Sequence, residues 1–159
     1  MERINHVPLI HDLLDAVNAH DAARVAHFHA DDYEGLDVSR AARRQGRQGI
    51  SDELRDWWRA FPDLHFSICD VVVQPGRLAF LWTAEGTHEH AFLRVPPTGR
   101  RIEVCGVTLL TIRDGKIARG LYLWDMAGLL RSMKLLPDLP GDGQPARQAD
   151  LLSSFLMTL

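Results

Sequence analysis

Ile10, Leu13, Leu14 and Val17 recur at helical spacing, so the chain predicts a first amphipathic helix over about 7–19 with one face on a core. Asp21 is a good N-cap for a short second helix, in which Ala22, Val25, Ala26 and Phe28 share a side and which should end near Ala30. Ile50, Leu54, Trp57, Trp58 and Phe61 repeat the helical stripe until Pro62, which cannot continue it, giving a third helix over about 47–61. From there the period changes to two. Phe66–Val73 and Arg77–Thr87 are extended runs joined by a Pro75-Gly76 turn. After the break at Pro96-Pro97-Thr98-Gly99, Arg101–Arg113 and Lys116–Trp124 flank Asp114-Gly115, a strong two-residue hairpin signal. Helices first and antiparallel strands later predict an α+β layer, with three N-terminal helices packed on one face of a curved sheet. A short closing helix should begin near Gly128 and end before Pro137. The segment 137–143 reads as a linker, and Leu151, Leu152, Phe155 and Leu156 form a small amphipathic tail. The expected division is a domain over 1–136 and a linker with its tail over 137–159.

Composition narrows the class. A chain of 159 residues with 46% hydrophobic and 25% charged residues fits one globular domain rather than a disordered or fibrous polymer. Its formal charge of -3 gives no basic field to draw nucleic acid or anionic lipid. Charged residues interrupt the apolar stretches at the N terminus (Glu2, Arg3, Asp12), against a secretory signal, and no run is long enough to cross a bilayer. A cytoplasmic protein with reduced thiols is expected, although Cys69 and Cys105 leave one bridge open; neither a disulfide scaffold nor a four-cysteine zinc site is compatible with two cysteines.

Candidate chemistry centres on the last hairpin. A two-residue turn at Asp114-Gly115 places Asp125 opposite Val104, Leu123 opposite Gly106 and Leu121 opposite Thr108. On that register one face carries Val104, Thr108, Leu121, Leu123 and Asp125, with Asp125 the polar group at the rim of an apolar surface. Desolvation there raises a carboxyl pKa and suits it to proton transfer. The alternative is that Asp125 caps the helix starting at Met126. His88 and His90 alternate at a strand end and point to one side, an arrangement suited to an acid–base pair; a metal would need a third ligand that the spacing does not supply, so none is expected. His27 and His29 are expected on a helix surface, and Arg40, Arg43, Arg44 and Arg47 on a solvated loop face. The tryptophans Trp57, Trp58, Trp82 and Trp124 either build the core or floor a pocket for a flat ligand.

Read together, Phe61-Pro62-Asp63-Leu64-His65, Gly86-Thr87-His88, Pro96-Pro97-Thr98-Gly99-Arg100-Arg101 and Asp114-Gly115-Lys116-Ile117, followed by Asp125, resemble the SnoaL-like polyketide cyclases over about residues 8–136. The resemblance implies a cone-shaped fold shared with nuclear transport factor two and ketosteroid isomerase. It further implies cofactor-independent, metal-free ring closure of a polyketide or related polycarbonyl substrate by intramolecular aldol condensation. It assigns the acid/base to Asp125 and a supporting role to His88, with His90 a further candidate from its place on the same side of the strand end; the substrate pocket is expected at Trp58, Phe61, Trp82, Val104, Thr108, Leu121 and Leu123. A homodimer or homotetramer through the outer sheet face is expected on the same ground. The chain departs from the pattern at Thr108, where a histidine is expected, at Gly120 and Leu121, where polar residues are, and at His90, where glycine is usual. These departures leave open another acid–base reaction in the same pocket, such as epoxide opening, dehydration or isomerisation, or non-catalytic binding of a hydrophobic molecule.

Overall fold

All of the predicted helical stripes and extended runs form in the computed structural model, which describes residues 7–140 and 147–157. The charged N-terminal positions Glu2 and Arg3 and the last part of the predicted linker lie outside the described residues. Helices α1 (Val7–Asn18), α2 (Ala22–His27) and α3 (Gly46–Ala60) match the apolar stripes. Asp21 caps α2 by accepting the Arg24 backbone N–H at 2.9 Å. The α3 helix stops before Phe61-Pro62, where the next residue has no N–H to give.

Six strands follow the helices or lie between them: β1 (His29–Asp37), β2 (Ala42–Gln45), β3 (His65–Gln74), β4 (Arg77–Thr87), β5 (Arg101–Arg113) and β6 (Lys116–Trp124). They form one open sheet in the order β2-β1-β6-β5-β4-β3. The four strands read from the sequence are antiparallel, as expected. The two that were not read, β1 and β2, join the β6 edge, and β1 runs parallel to β6. Asp114 and Gly115 both adopt the left-handed conformation, with φ of 51° and 72°, which is what a two-residue turn matching strand twist requires.

The β5–β6 register differs from the expected one by a single residue. Arg113 faces Lys116 and Ile112 faces Ile117, as the turn dictates, but Thr111 then faces Arg119. Ala118 is the extra residue, and it is buried together with Ile117. Beyond this bulge Thr108 faces Tyr122, Gly106 faces Trp124, and the Asp125 N–H bonds the Cys105 carbonyl at 2.9 Å. Because side chains alternate, a slip of one exchanges the two faces. Tyr122 and Trp124 therefore point inward, while Leu121, Leu123 and Asp125 do not.

Two core clusters meet under the helices. One gathers Trp57, Phe61, Trp82, Val104 and Trp124, and the other Ile10, Val25, Ile50, Leu110 and Ile117. Each large apolar side chain buried there contributes about 1.5–3 kcal/mol. The chain closes with α4 (Met126–Ser132) and α5 (Gln148–Leu156), the latter lying against β3 and β5.

Candidate active site

Between α1, α3 and the concave face of the sheet lies a cavity of about 140 Å³. Its walls are apolar: Ile10, Leu13 and Leu14 from α1, Leu54 and Trp57 from α3, and Phe80 from β4. Polar groups reach it from β1, β2 and the β5–β6 pair, namely His29, Asp37, Arg44, Thr108 and Tyr122, with Glu53 of α3. Inward positions of β1 alternate with exposed ones, so His29, Tyr33, Gly35 and Asp37 face the interior in turn.

Asp37 is 6% exposed and accepts the Trp124 indole N–H on both carboxylate oxygens, at 3.0 and 3.1 Å. The Arg40 backbone N–H adds a third contact at 3.1 Å. Ser39 fixes the same corner by donating to the Trp124 carbonyl at 2.7 Å and accepting its N–H at 2.9 Å. A carboxylate has about four lone-pair sites, so these donors leave Asp37 acceptor capacity.

Glu53 is differently placed. It accepts Arg40 Nη1 at 2.7 Å, Arg44 Nε at 2.6 Å, Arg44 Nη2, and the Trp57 indole N–H at 3.1 Å. Arg44 Nη1 donates to the Arg43 carbonyl at 3.0 Å, so every guanidinium nitrogen of Arg44 is engaged. This part of the predicted solvated arginine face is instead half-buried structure. His29, expected on a helix surface, is buried in β1; its Nδ1–H donates to the Val25 carbonyl at 2.9 Å, and burial holds its pKa down to about 4.

Tyr33 and Tyr122 share a hydrogen bond of 2.7 Å between their hydroxyls. Both remain neutral phenols: burial raises the Tyr33 pKa well above its ordinary value and pushes that of Tyr122 up to about 12. Their rings occupy a slot made by two glycines that face each other across the β1–β6 ladder, Gly35 and Gly120. A Cβ at Gly120 would stand 2.6 Å from the Tyr122 hydroxyl, and one at Gly35 would overlap that of Tyr33. Gly106 does the same for Trp82, whose Cε2 lies 2.8 Å from the place of a Cβ and whose indole N–H donates to Thr108 at 3.0 Å.

The residues singled out from the sequence for acid–base chemistry, Asp125, His88 and His90, are not brought together at the cavity. Asp125 caps α4: one oxygen accepts the Gly128 N–H at 2.8 Å and the other the Gln148 side-chain amide at 2.7 Å, and it does not line the cavity. His88 is fully buried beside Phe61, and its Nδ1 accepts the Thr98 N–H at 3.2 Å, which pins the loop before β5. Burial holds its pKa below the ordinary value. His90 is exposed beyond the end of β4, and Val104 pairs with Ala84 rather than approaching it. Trp82 and Thr108 do line the cavity. Trp58 stacks on His20 at 4.9 Å, and Phe61 and Val104 belong to the adjoining core. Leu121 and Leu123 lie on the outer face, Leu123 being 42% exposed, because the Ala118 bulge has moved them there.

The groups missed from the sequence are Asp37, Tyr122, Tyr33, Glu53 and His29. The signal that could have found them is the alternation His29, Tyr33, Gly35, Asp37, a strand whose inward positions are polar or bare.

An open curved sheet folded over helices around an apolar cavity is the architecture of the ketosteroid isomerase-like proteins. A protein of that fold from Catenulispora acidiphila superimposes with a TM-score of 0.71 over 87% of this chain and 98% of its own, at 17% identity. Within that class the chain belongs to the SnoaL-like polyketide cyclase family, whose model matches residues 9–133. TsrD from Streptomyces laurentii is similar at 26% identity, TM-score 0.76, over 86% of this chain and 99% of its own. A SnoaL-like polyketide cyclase from Agrobacterium tumefaciens is similar at 26% identity, TM-score 0.67, over 84% and 99%. No curated protein matches the chain in sequence. Among the described residues no helix is long and apolar enough to cross a membrane.

Proposed function

We propose that the chain is a cyclase-type enzyme that performs acid–base chemistry on a polyketide or related polycarbonyl compound inside the cone, with Asp37 as the proton-transferring group. The observation that carries this reading is the Asp37 carboxylate, buried at the cavity wall and aimed by the Trp124 indole. Family membership supports the cyclase role, and the apolar walls support a hydrophobic substrate. In an aldol closure Asp37 takes a proton from a carbon beside a carbonyl, giving an enolate. The enolate carbon forms the new C–C bond to a second carbonyl carbon. The resulting alkoxide takes the proton back from the Asp37 carboxylic acid, so the enzyme ends as it began. Holding the two carbons together in one cavity supplies the orientation that a free chain lacks.

Asp125 is then a helix cap, its two oxygens engaged by Gly128 and Gln148. Deuterium incorporation from D2O into the methyl group of acetophenone, followed by NMR, tests the proton-transfer step directly. Asp37→Asn should lower the rate roughly 10²-fold or more, and Asp125→Asn should change it little. The opposite order would return the acid/base to Asp125 and sink the assignment to Asp37.

A further inference from the structure

We propose that His29 is a specificity-determining residue, whose Nε2 accepts a hydrogen bond from a hydroxyl group of an uncharged guest at the end of the cavity remote from Asp37. This rests on the reading of that cavity as the substrate site and adds to it the substrate class, an apolar, uncharged molecule that carries a hydroxyl.

The tautomer of His29 follows from one contact. Nδ1 lies 2.9 Å from the Val25 carbonyl oxygen, which can only accept, so Nδ1 carries the proton. Burial keeps the ring neutral, and Nε2 is then a bare acceptor. No described residue donates to it. The nearest ring, that of Tyr33, stands edge-on at 4.7 Å between centroids, but the Tyr33 hydroxyl is bonded to that of Tyr122. The Nε2 of His88 is sealed in the core without a partner, whereas that of His29 is not sealed, and His29 lines the cavity while being 2% exposed. A buried acceptor without a donor is costly, and a guest hydroxyl relieves that cost.

Sheet register sets this acceptor apart from the other polar groups of the cavity. Asp37 pairs with Tyr122, Tyr122 with Thr108, and Arg44 with Gly35 beside them, while Glu53 holds Arg44. These groups form one polar end. His29 instead pairs with Ile117, five residues back along β6 from Tyr122, which is roughly 15 Å of strand. Ile117 belongs to the core cluster of Ile10, Val25 and Ile50, and these three also line the cavity. His29 is thus a single acceptor in an apolar end. The chemistry of the guest follows. An anion meets a lone pair there and no free cation. An ammonium group finds no carboxylate, because Asp37 and Glu53 belong to the other end, and desolvation opposes its entry. An uncharged hydroxyl supplies the one donor that Nε2 lacks and leaves the rest of the guest to the apolar walls.

The test uses phenol and toluene, which match in size and differ in the donor, with wild-type protein and the variants His29→Asn and His29→Gln. Asparagine keeps an amide N–H near the place of Nδ1 for the Val25 carbonyl and removes the acceptor, whereas glutamine brings an amide oxygen near the place of Nε2. Affinities are read by calorimetry, and the acceptor itself by 15N NMR of the histidine rings. The unprotonated Nε2 resonance of His29, identified by its absence in His29→Asn, should move upfield when phenol binds and much less with toluene. His29→Asn should lower the preference for phenol over toluene roughly 3- to 10-fold relative to wild type, and His29→Gln should retain most of it. An unmoved Nε2 resonance, an unchanged preference in His29→Asn, or equal weakening of both compounds would overturn the proposal. A preference lost in Asp37→Asn and kept in His29→Asn would also overturn it, by placing the hydroxyl at the other end. Binding is read without turnover, so the phenol preference and the deuterium exchange assigned to Asp37 are separate results, and either can fail alone.

Discussion

Adding one methyl group at Gly120 should disrupt the tyrosine pair without removing either hydroxyl. Gly120 has ordinary strand geometry, so alanine there is free of backbone strain and by itself would gain about 0.4–1 kcal/mol from a stiffer unfolded chain. Against this, the new Cβ stands 2.6 Å from the Tyr122 hydroxyl and 2.8 Å from two ring carbons, so the ring must leave its slot. Overpacking of this kind costs about 1–3 kcal/mol. Displacing Tyr122 also strands the buried Tyr33 hydroxyl, for about 1–3 kcal/mol more. Gly120→Ala should therefore destabilise by about 1–5 kcal/mol in urea unfolding. The decisive measurement is the double-mutant cycle with Tyr122→Ala. In that background the obstruction is gone, and the same glycine substitution should be near neutral or slightly stabilising. A cost below about 0.5 kcal/mol in the wild type, or an equal cost in both backgrounds, would refute the argument that the slot positions the pair.

Burial of neutral His29, whose pKa falls from 6.5 to about 4, makes stability pH-dependent: between these values the unfolded chain binds the proton and the native chain does not. Its contribution is complete above about pH 6.5 and is lost as pH falls towards 4, by up to about 3 kcal/mol; urea midpoints of wild type and His29→Phe across that range should differ in slope, and parallel profiles would show that another group carries the effect. Asp125→Ala should cost about 0.5–2 kcal/mol in thermal unfolding through loss of the α4 cap while acetophenone deuterium exchange is kept, and loss of exchange in a folded variant would show that Asp125 serves the cavity.

The helices and the four central strands were legible because their inward positions are apolar and their turns carry Pro-Gly or Asp-Gly. What hides β1 in the sequence is its polar inward face. His29, Tyr33, Gly35 and Asp37 occupy the inward positions that Val, Ile or Leu would fill in a plain strand, so the hydrophobic alternation is missing where polar groups line the cavity. The short β2 carries Arg44 inward, and its charges read as loop. A regular hairpin makes Asp125 an inward carboxylate; the Asp114-Gly115 turn sets the start of the register as the sequence implies, but nothing in Ile117-Ala118-Arg119 announces an extra residue. The capping alternative for Asp125, visible from its place before Met126, describes its actual contacts.

The Ala118 bulge also bears on how relatives of this chain are compared. Motifs on the two sides of it stand at fixed separations in the sequence but in different phases of the pleat, so counting from the Asp114-Gly115 turn misassigns every side chain from Arg119 to Trp124. A homologue lacking one residue in this strand would present another set of side chains to its cavity even if every remaining letter were the same. For such a pair of proteins, insertions and deletions in the hairpin would be a coarser source of new chemistry than substitutions, and residue equivalence would have to be taken from strand phase.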